Sequence, residues 1–262
     1  MFETVAYESR QRLPGTAVLA ASLAAFAGMV IAITPGVIGE VDMDAILAQL
    51  PPGLVESLGL GELGTAEGFI ALELYQFVWI VGLGAYLAYT AASTIAGDVE
   101  TGRLDTVLAA PIGRTRLLLE KYLALLTPIA VVNVVVFTVI YAGAIYIDEP
   151  IAATDLAMVH LLSVPYLLAC AAVGMLASVL APRRLVAEGV AAGAIVGTFL
   201  LQTIVVGADV EWLGAIAPMR YYDPLTILTE SHYDLAGAAI LLAAAAALIV
   251  AASIAFRERD LT

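Results

Sequence analysis

The stretch Ala96-Gly-Asp-Val-Glu-Thr-Gly-Arg-Leu-Asp-Thr-Val-Leu-Ala-Ala-Pro-Ile-Gly-Arg-Thr-Arg-Leu-Leu-Leu-Glu-Lys121 decides how the chain is read. It is a charged run set between two long apolar segments, Phe69 to Gly97 before it and Leu117 to Ile147 after it. A transmembrane helix needs about 20 largely apolar residues to cross the hydrocarbon core, and both flanks exceed that length. The stretch is therefore expected to be a loop at the membrane surface, over residues 98–116. Gly102 is placed to break the helix leaving the membrane, and Leu104, Val107 and Leu108 to form a short apolar face. Pro111 ends that face, and Arg114 and Arg116 return the chain to the headgroups. A short helix lying across the mouth of a bundle in this way is suited to docking another protein.

Working outward, four further segments have the length and composition of spans: Thr16 to Thr34, Met158 to Ala181, Val186 to Ala208 and Leu235 to Phe256. The expected fold is all-α, a polytopic membrane protein with six transmembrane helices in a single domain over residues 1–262. Composition agrees. Hydrophobic residues make up 62% of the chain and charged residues 13%, with a mean hydropathy of +0.98. A soluble domain usually carries about a quarter charged residues. A soluble nucleic-acid module, a disulfide scaffold and a disordered tail are excluded. The net charge of -13 also repels nucleic acid. Cys170, the single cysteine, lies in an apolar run and has no partner for an intrachain disulfide. The first apolar run is too long for a cleavable signal core and no small-residue cleavage site follows it. The acidic, lysine-poor, Ala- and Val-rich composition is that of a salt-adapted chain.

Basic residues sort the loops. Six spans put both termini on one side, and that side holds Arg10, Arg12, Arg103, Arg114, Arg116, Lys121, Arg183, Arg184, Arg257 and Arg259. Only Arg220 of the 11 basic residues lies on the other. The positive-inside rule then predicts cytoplasmic termini and a plasma-membrane protein. Acidic residues favour the outer side, among them Glu40, Asp42, Asp44, Asp148, Glu149, Asp209 and Glu211. Solvation of the surface in salt accounts for this, as does attraction of cations to the outer mouth.

Outside the spans, Phe2, Val5, Ala6 and Leu13 are expected on one face of an interfacial N-terminal helix, a stretch equally readable as a basic topogenic tail. In the outer loops, Met43, Ile46, Leu47 and Leu50 fit a short interfacial helix ended by Pro51 and Pro52, and Trp212, Leu213 and Ile216 fit a second. These helices read as a lid or as interface anchors. Within the spans, Gly189, Gly193 and Gly197 recur every four residues and Ala20, Ala24 and Gly28 form a comparable stripe. Small residues on one face let another helix approach closely, within or between subunits. Glu73, Gln76, Asn133 and Gln202 are the main buried polar candidates. Glu73 is expected at the outer interface and Asn133 on a neighbouring helix.

Catalytic parts are missing from the sequence. His160 and His232 have no metal-ligand partner at helical spacing, so no metal site is expected. No HExxH, GxSxG or GxxxxGK[ST] motif occurs, so neither intramembrane hydrolysis nor nucleotide hydrolysis is expected on this chain. No catalytic or cofactor-binding residue is assigned.

The loop resembles the corresponding stretch in membrane subunits of type-2 ABC exporters. In them an acidic residue precedes Glu-x-Gly-x-Leu-(Asp/Glu), then Pro-x-x-Arg and a basic residue opening the third span. Asp98, Glu100, Gly102, Leu104, Asp105, Pro111, Arg114 and Lys121 match. The C-terminal Arg259-Asp-Leu261 and Tyr222-Asp-Pro224 are also similar to the family. The nearest subgroup includes permeases of nitrous-oxide reductase maturation. One departure is Asp98, where glutamate is common. The resemblance implies an ATP-driven exporter permease, non-catalytic itself, working as a homodimer or heterodimer with two separate ATPase subunits that carry ATP and Mg. It implies an ATPase-coupling helix within 98–116, involving Asp98, Glu100, Gly102, Arg103, Leu104, Asp105, Val107, Leu108, Pro111 and Arg114. It further implies that Ala24, Gly28, Gly189 and Gly193 meet across the dimer. The competing expectation is an ATPase-independent secondary transporter or a membrane scaffold. That reading calls for broken helices or intramembrane charges in corresponding halves.

Overall fold

A computed structural model describes residues 3–40, 43–51, 53, 55, 60–104 and 112–258. Among these residues the structure is helical, with no strand, and six helices are long and apolar enough to cross a membrane. They run Thr4–Ile38, Ala66–Glu100, Arg114–Tyr146, Ala153–Leu180, Arg184–Val205 and Leu235–Glu258, and are called the first to sixth spans below. The all-α, six-span expectation holds.

The fourth span is the centre of the bundle. It packs against the C-terminal half of the second span and along the sixth, while the first span packs on the third and the fifth lies against the second and fourth. Small residues make the central contact possible. A Cβ placed on Gly174 would fall 2.0 Å from the carbonyl oxygen of Ala88, so these two helices meet backbone to backbone. Beside it, Ser178 Oγ accepts from the N–H groups of both Ile95 and Ala96 at 3.0 Å.

Three spans depart from a plain helix. The first is one continuous helix, Glu3–Glu40, that includes Pro14 and Pro35. At 1.5 Å per residue it is roughly 57 Å long, well beyond the hydrocarbon thickness. The N-terminal stretch, expected as an interfacial helix or a basic tail, is continuous with the span, and its Glu8 and Ser9 bond Lys121 and Thr127 of the third span.

The second span changes type midway. Ala71–Leu83 is a π-helix, followed by α-helix over Gly84–Glu100. At the junction the Gly84 N–H reaches back to Trp79 O, and Tyr166 Oη donates to Ile80 O at 2.8 Å. A Cβ at Gly84 would sit 2.7 Å from that hydroxyl, so glycine is what admits the tyrosine. Wide-turn segments of this kind concentrate at functional positions. The third span is broken at Ala124 and Leu125, between helices Arg114–Leu123 and Leu126–Tyr146. Pro128 has no N–H to offer the Ala124 carbonyl, which instead accepts from Thr127 at 3.3 Å.

In the loops after the first and fifth spans, Met43–Leu47 is a short helix and Glu211–Ile216 a 3-10 turn. Pro52 lies outside the described residues. Tyr222 is buried, stacks on Tyr166 with ring centres 5.5 Å apart, and donates to Val159 O at 3.1 Å. Burial pushes its phenol well above the usual value, keeping it a neutral donor.

Candidate functional site

The residues around 98–116 assemble a charged base at one end of the bundle. The second span ends at Glu100 because Gly102 follows at φ +67°, with its N–H on Val99 O and the Thr101 N–H on Gly97 O. A left-handed residue just past the last turn is the usual way a helix satisfies its final carbonyls, and glycine adopts it without strain. Gly102 thus ends the helix where the sequence placed the break.

Just before that stop, Asp98 turns inward and is buried. Lys121, the only lysine and itself buried, lies between two carboxylates: its Nζ is 2.8 Å from Asp98 Oδ2 and 2.5 Å from Glu8 Oε1. This triad joins the first, second and third spans. Taking three charges out of water costs several kcal/mol per ion unless each is paired, and here the cation is paired twice. Thr127 Oγ1 adds a neutral bond to Ser9 Oγ at 2.9 Å.

The two ends of the loop are tied to the fifth and sixth spans. On entry, a Glu100 carboxylate oxygen accepts from the Arg184 N–H at 2.7 Å. Arg184 is the first helical residue of the fifth span, so Glu100 caps that helix with negative charge at its positive end. Arg184 Nε in turn donates to Glu188 at 2.6 Å. On exit, Arg114 Nη1 donates to Phe256 O at 3.1 Å and Arg257 O at 3.3 Å, with its guanidinium 5.8 Å from the Phe256 ring centre. A cation on the last carbonyls of the sixth span suits that helix's negative end.

The expected coupling residues therefore divide. Asp98 and Leu104 are buried within the single chain, where Leu104 was expected to share an apolar face with Val107 and Leu108. Its side chain is covered where the chain turns out of the membrane. Glu100 and Arg114 act as caps on neighbouring spans, whereas Gly102 and Arg103 are exposed. Asp105, Val107, Leu108 and Pro111 lie outside the described residues. Of the small-residue stripes, Ala20 is buried within the chain and Ala24 and Gly28 are half-buried. Gly189, Gly193 and Gly197 are exposed, and a Cβ on any of them would meet no described atom within 4 Å.

A second polar cluster lies deep in the bundle. His160 Nε2 is 2.9 Å from Tyr75 Oη, and His160 Nδ1 is 3.0 Å from Asn133 Oδ1. Ser163 Oγ also donates to Asn133 Oδ1 at 3.0 Å, while Asn133 Nδ2 donates to Ile129 O at 2.8 Å. One neutral imidazole tautomer satisfies the set, with Nδ1–H donating to asparagine and Nε2 accepting from tyrosine. The rings of Trp79 and Phe137 stand edge-on to the imidazole, at 5.2 and 5.8 Å. Asn133 bonds a neighbouring helix as expected. The histidine at its centre was missed, because its partners come from other spans and leave no local spacing to read. Glu73 and Gln76 are half-buried in the π segment.

Among the described residues, no group of three or more His, Cys, Asp or Glu side chains is placed to hold a metal ion. The bundle and its charged base describe a multi-pass helical membrane protein. Residues 4–261 match the family described as ABC-2 family transporter protein, and the chain belongs to that family. It is accordingly the membrane permease component of an ABC transporter, a kind of subunit that associates with an ABC ATPase. No curated protein matches the chain.

Proposed function

We propose that this permease is an exporter subunit driven by a separate ATPase through the loop over residues 98–116. The observation that carries the reading is the anchoring of that loop. Asp98 is held to the first and third spans through Lys121 and Glu8, Glu100 to the fifth and Arg114 to the sixth. An ATPase can move a permease only by displacing an element continuous with its spans, and a push on this loop reaches the bundle through charged contacts at both ends. Lys and Arg concentrated on the same end support an orientation with loop and termini in the cytoplasm of a plasma-membrane protein. ATP and Mg belong to the ATPase, two copies of which serve two permeases.

The second permease sits against the fifth span. Gly189, Gly193 and Gly197 are exposed, with open space over them. A small-residue face of this kind supports close approach of another copy, with Ala24 and Gly28 of the first span at its edge. The narrower kinship, to permeases of nitrous-oxide reductase maturation, is supported by the motif residues of the loop.

Capture of the full chain in mild detergent is expected to retain an ATPase subunit, recognised by its phosphate-loop peptide. Gly102→Pro with Arg103→Glu changes two exposed positions, and should lose that subunit while six spans remain inserted. Undiminished co-purification and transport by this variant would reject the loop as the coupling element. For orientation, cysteines replacing Leu60, Pro150 or Ala215 should react with an impermeant thiol reagent added outside cells, and one replacing Arg183 should not. The reverse pattern would invert the assignment.

A further inference from the structure

The charged base encloses a pocket of about 270 Å³, lined among others by Glu8, Arg12, Asp98, Arg103, Lys121 and Arg184. We infer that this pocket binds a phosphate group, of a kind that a membrane phospholipid headgroup presents. The inference rests on the membrane placement of the spans and is independent of ATPase docking.

The distances show which charges are committed. Lys121 takes the close contacts of both carboxylates, at 2.5 Å to Glu8 and 2.8 Å to Asp98. The two guanidiniums beside it keep only long ones. Arg12 is 3.5 Å from the other Glu8 oxygen, and Arg103 is 3.9 Å from Asp98. Arg12 Nε is buried with no hydrogen-bond partner among the described residues. A buried donor left unmatched is costly, so a site that keeps one is incomplete without an acceptor. Arg184 is different: its Nε is bonded to Glu188, and its backbone N–H to Glu100. It adds charge to the wall but has a partner already.

Two guanidiniums with open donors therefore face one cavity, in a lining of four cations and two carboxylates. Guanidinium forks match phosphate oxygens in pairs, which a point-charge ammonium does not. Position supports the same ligand. The walls are the stretch just before the apolar run of the first span, the polar end of the second, and the starts of the third and fifth. All four lie where hydrocarbon gives way to headgroups, and basic pockets between spans at that depth are suited to lipid phosphates. Inorganic phosphate offers the same oxygens without the anchor.

The test uses the full chain purified in a phosphate-free detergent and buffer. Thermal unfolding and native mass spectrometry would follow addition of phosphatidylglycerol, of a glucosyl-diacylglycerol with the same acyl chains, or of inorganic phosphate. The inference expects phosphatidylglycerol to raise the unfolding temperature and persist as an adduct, with the glucolipid doing neither. Arg12→Gln and Arg103→Gln should each weaken the effect about tenfold. Arg103 is half exposed, so its variant tests the site even if the Arg12 variant is unstable. Saturation by inorganic phosphate, with the same sensitivity to both variants, would support the site and name a soluble source. Equal binding of both lipids, or unchanged affinity in both variants, would overturn it. So would stabilisation that needs only an added ATPase subunit and ignores phosphate, since an acidic protein side chain would then fill the pocket.

Discussion

The charged base and the His160 cluster are both buried polar assemblies, yet they are built differently. At the base, Lys121 sits between Asp98 and Glu8, and guanidiniums line the edge of the cavity. In the middle of the bundle, Tyr75, His160, Asn133 and Ser163 meet through neutral hydrogen bonds, enclosed by Trp79 and Phe137. The difference follows from distance to water. Charges can be kept at a span end, where partial hydration and opposite charges offset desolvation, whereas the hydrocarbon-level interior favours groups that satisfy one another without ionising. The base can therefore answer to a partner's charge or to a push from outside. The cluster instead fixes the relation of the second, third and fourth spans.

Mutations can separate the two. The largest loss of stability is expected for Lys121→Met, which leaves Glu8 and Asp98 with only the long contacts of Arg12 and Arg103. Breaking a buried pair in this way costs about 3–5 kcal/mol. Unfolding in detergent should show it, and adding Asp98→Asn should restore part. A loss no larger than that of an exposed substitution would mean water reaches this triad freely. His160→Leu should come next, at about 1–3 kcal/mol, because it strands the Tyr75 hydroxyl and removes one of the two donors to the Asn133 carbonyl without removing a charge. It should leave ATPase capture intact, and loss of capture would join the two regions that the comparison keeps apart.

Smaller still is Gly102→Ala, at roughly 1 kcal/mol. Its φ of +67° is unfavourable for alanine, yet no described atom lies within 4 Å of the new Cβ. The loss read by unfolding in detergent should thus be a conformational cost alone. The smallest effect on the fold belongs to Gly193→Leu, since that face is open in the single chain. Its consequence should fall on assembly: cross-linking in membranes should show fewer dimers at unchanged monomer stability. A destabilised monomer would show that the glycine face packs within the chain.

The elements were legible where physics is local. Six apolar runs and the glycine that stops the second span are set by composition or by residues a few positions apart, whereas the caps that Glu100 and Arg114 place on other spans join residues 84 and 142 positions apart. Gly102 was readable because a left-handed residue after a helix requires little else. The burial of Leu104 was not, since it depends on how the turning chain meets the core. The triad needed Glu8 and Lys121, 113 positions apart, and the N-terminal stretch read alone suggested an interfacial helix. His160 lacked any partner at helical spacing for the same reason. The π segment has no sequence signature as clear as a proline. Its visible trace is Gly84, which admits Tyr166 from another span.

The central claim is that a rigidly tied loop carries the ATPase stroke into the spans. Inserting Gly-Ser-Gly between Ile112 and Gly113 would leave the stretch before it unchanged but slacken its connection to Arg114 and the third span. The direct measurement is the labelling rate of a cysteine replacing Ala215, in the reconstituted complex, with and without ATP. In the parent chain ATP is expected to change that rate. In the insertion variant the ATPase should remain bound while the rate no longer responds to nucleotide. An ATP response of the same size with the insertion in place would contradict the account, because the stroke would then reach the outer side without a taut loop.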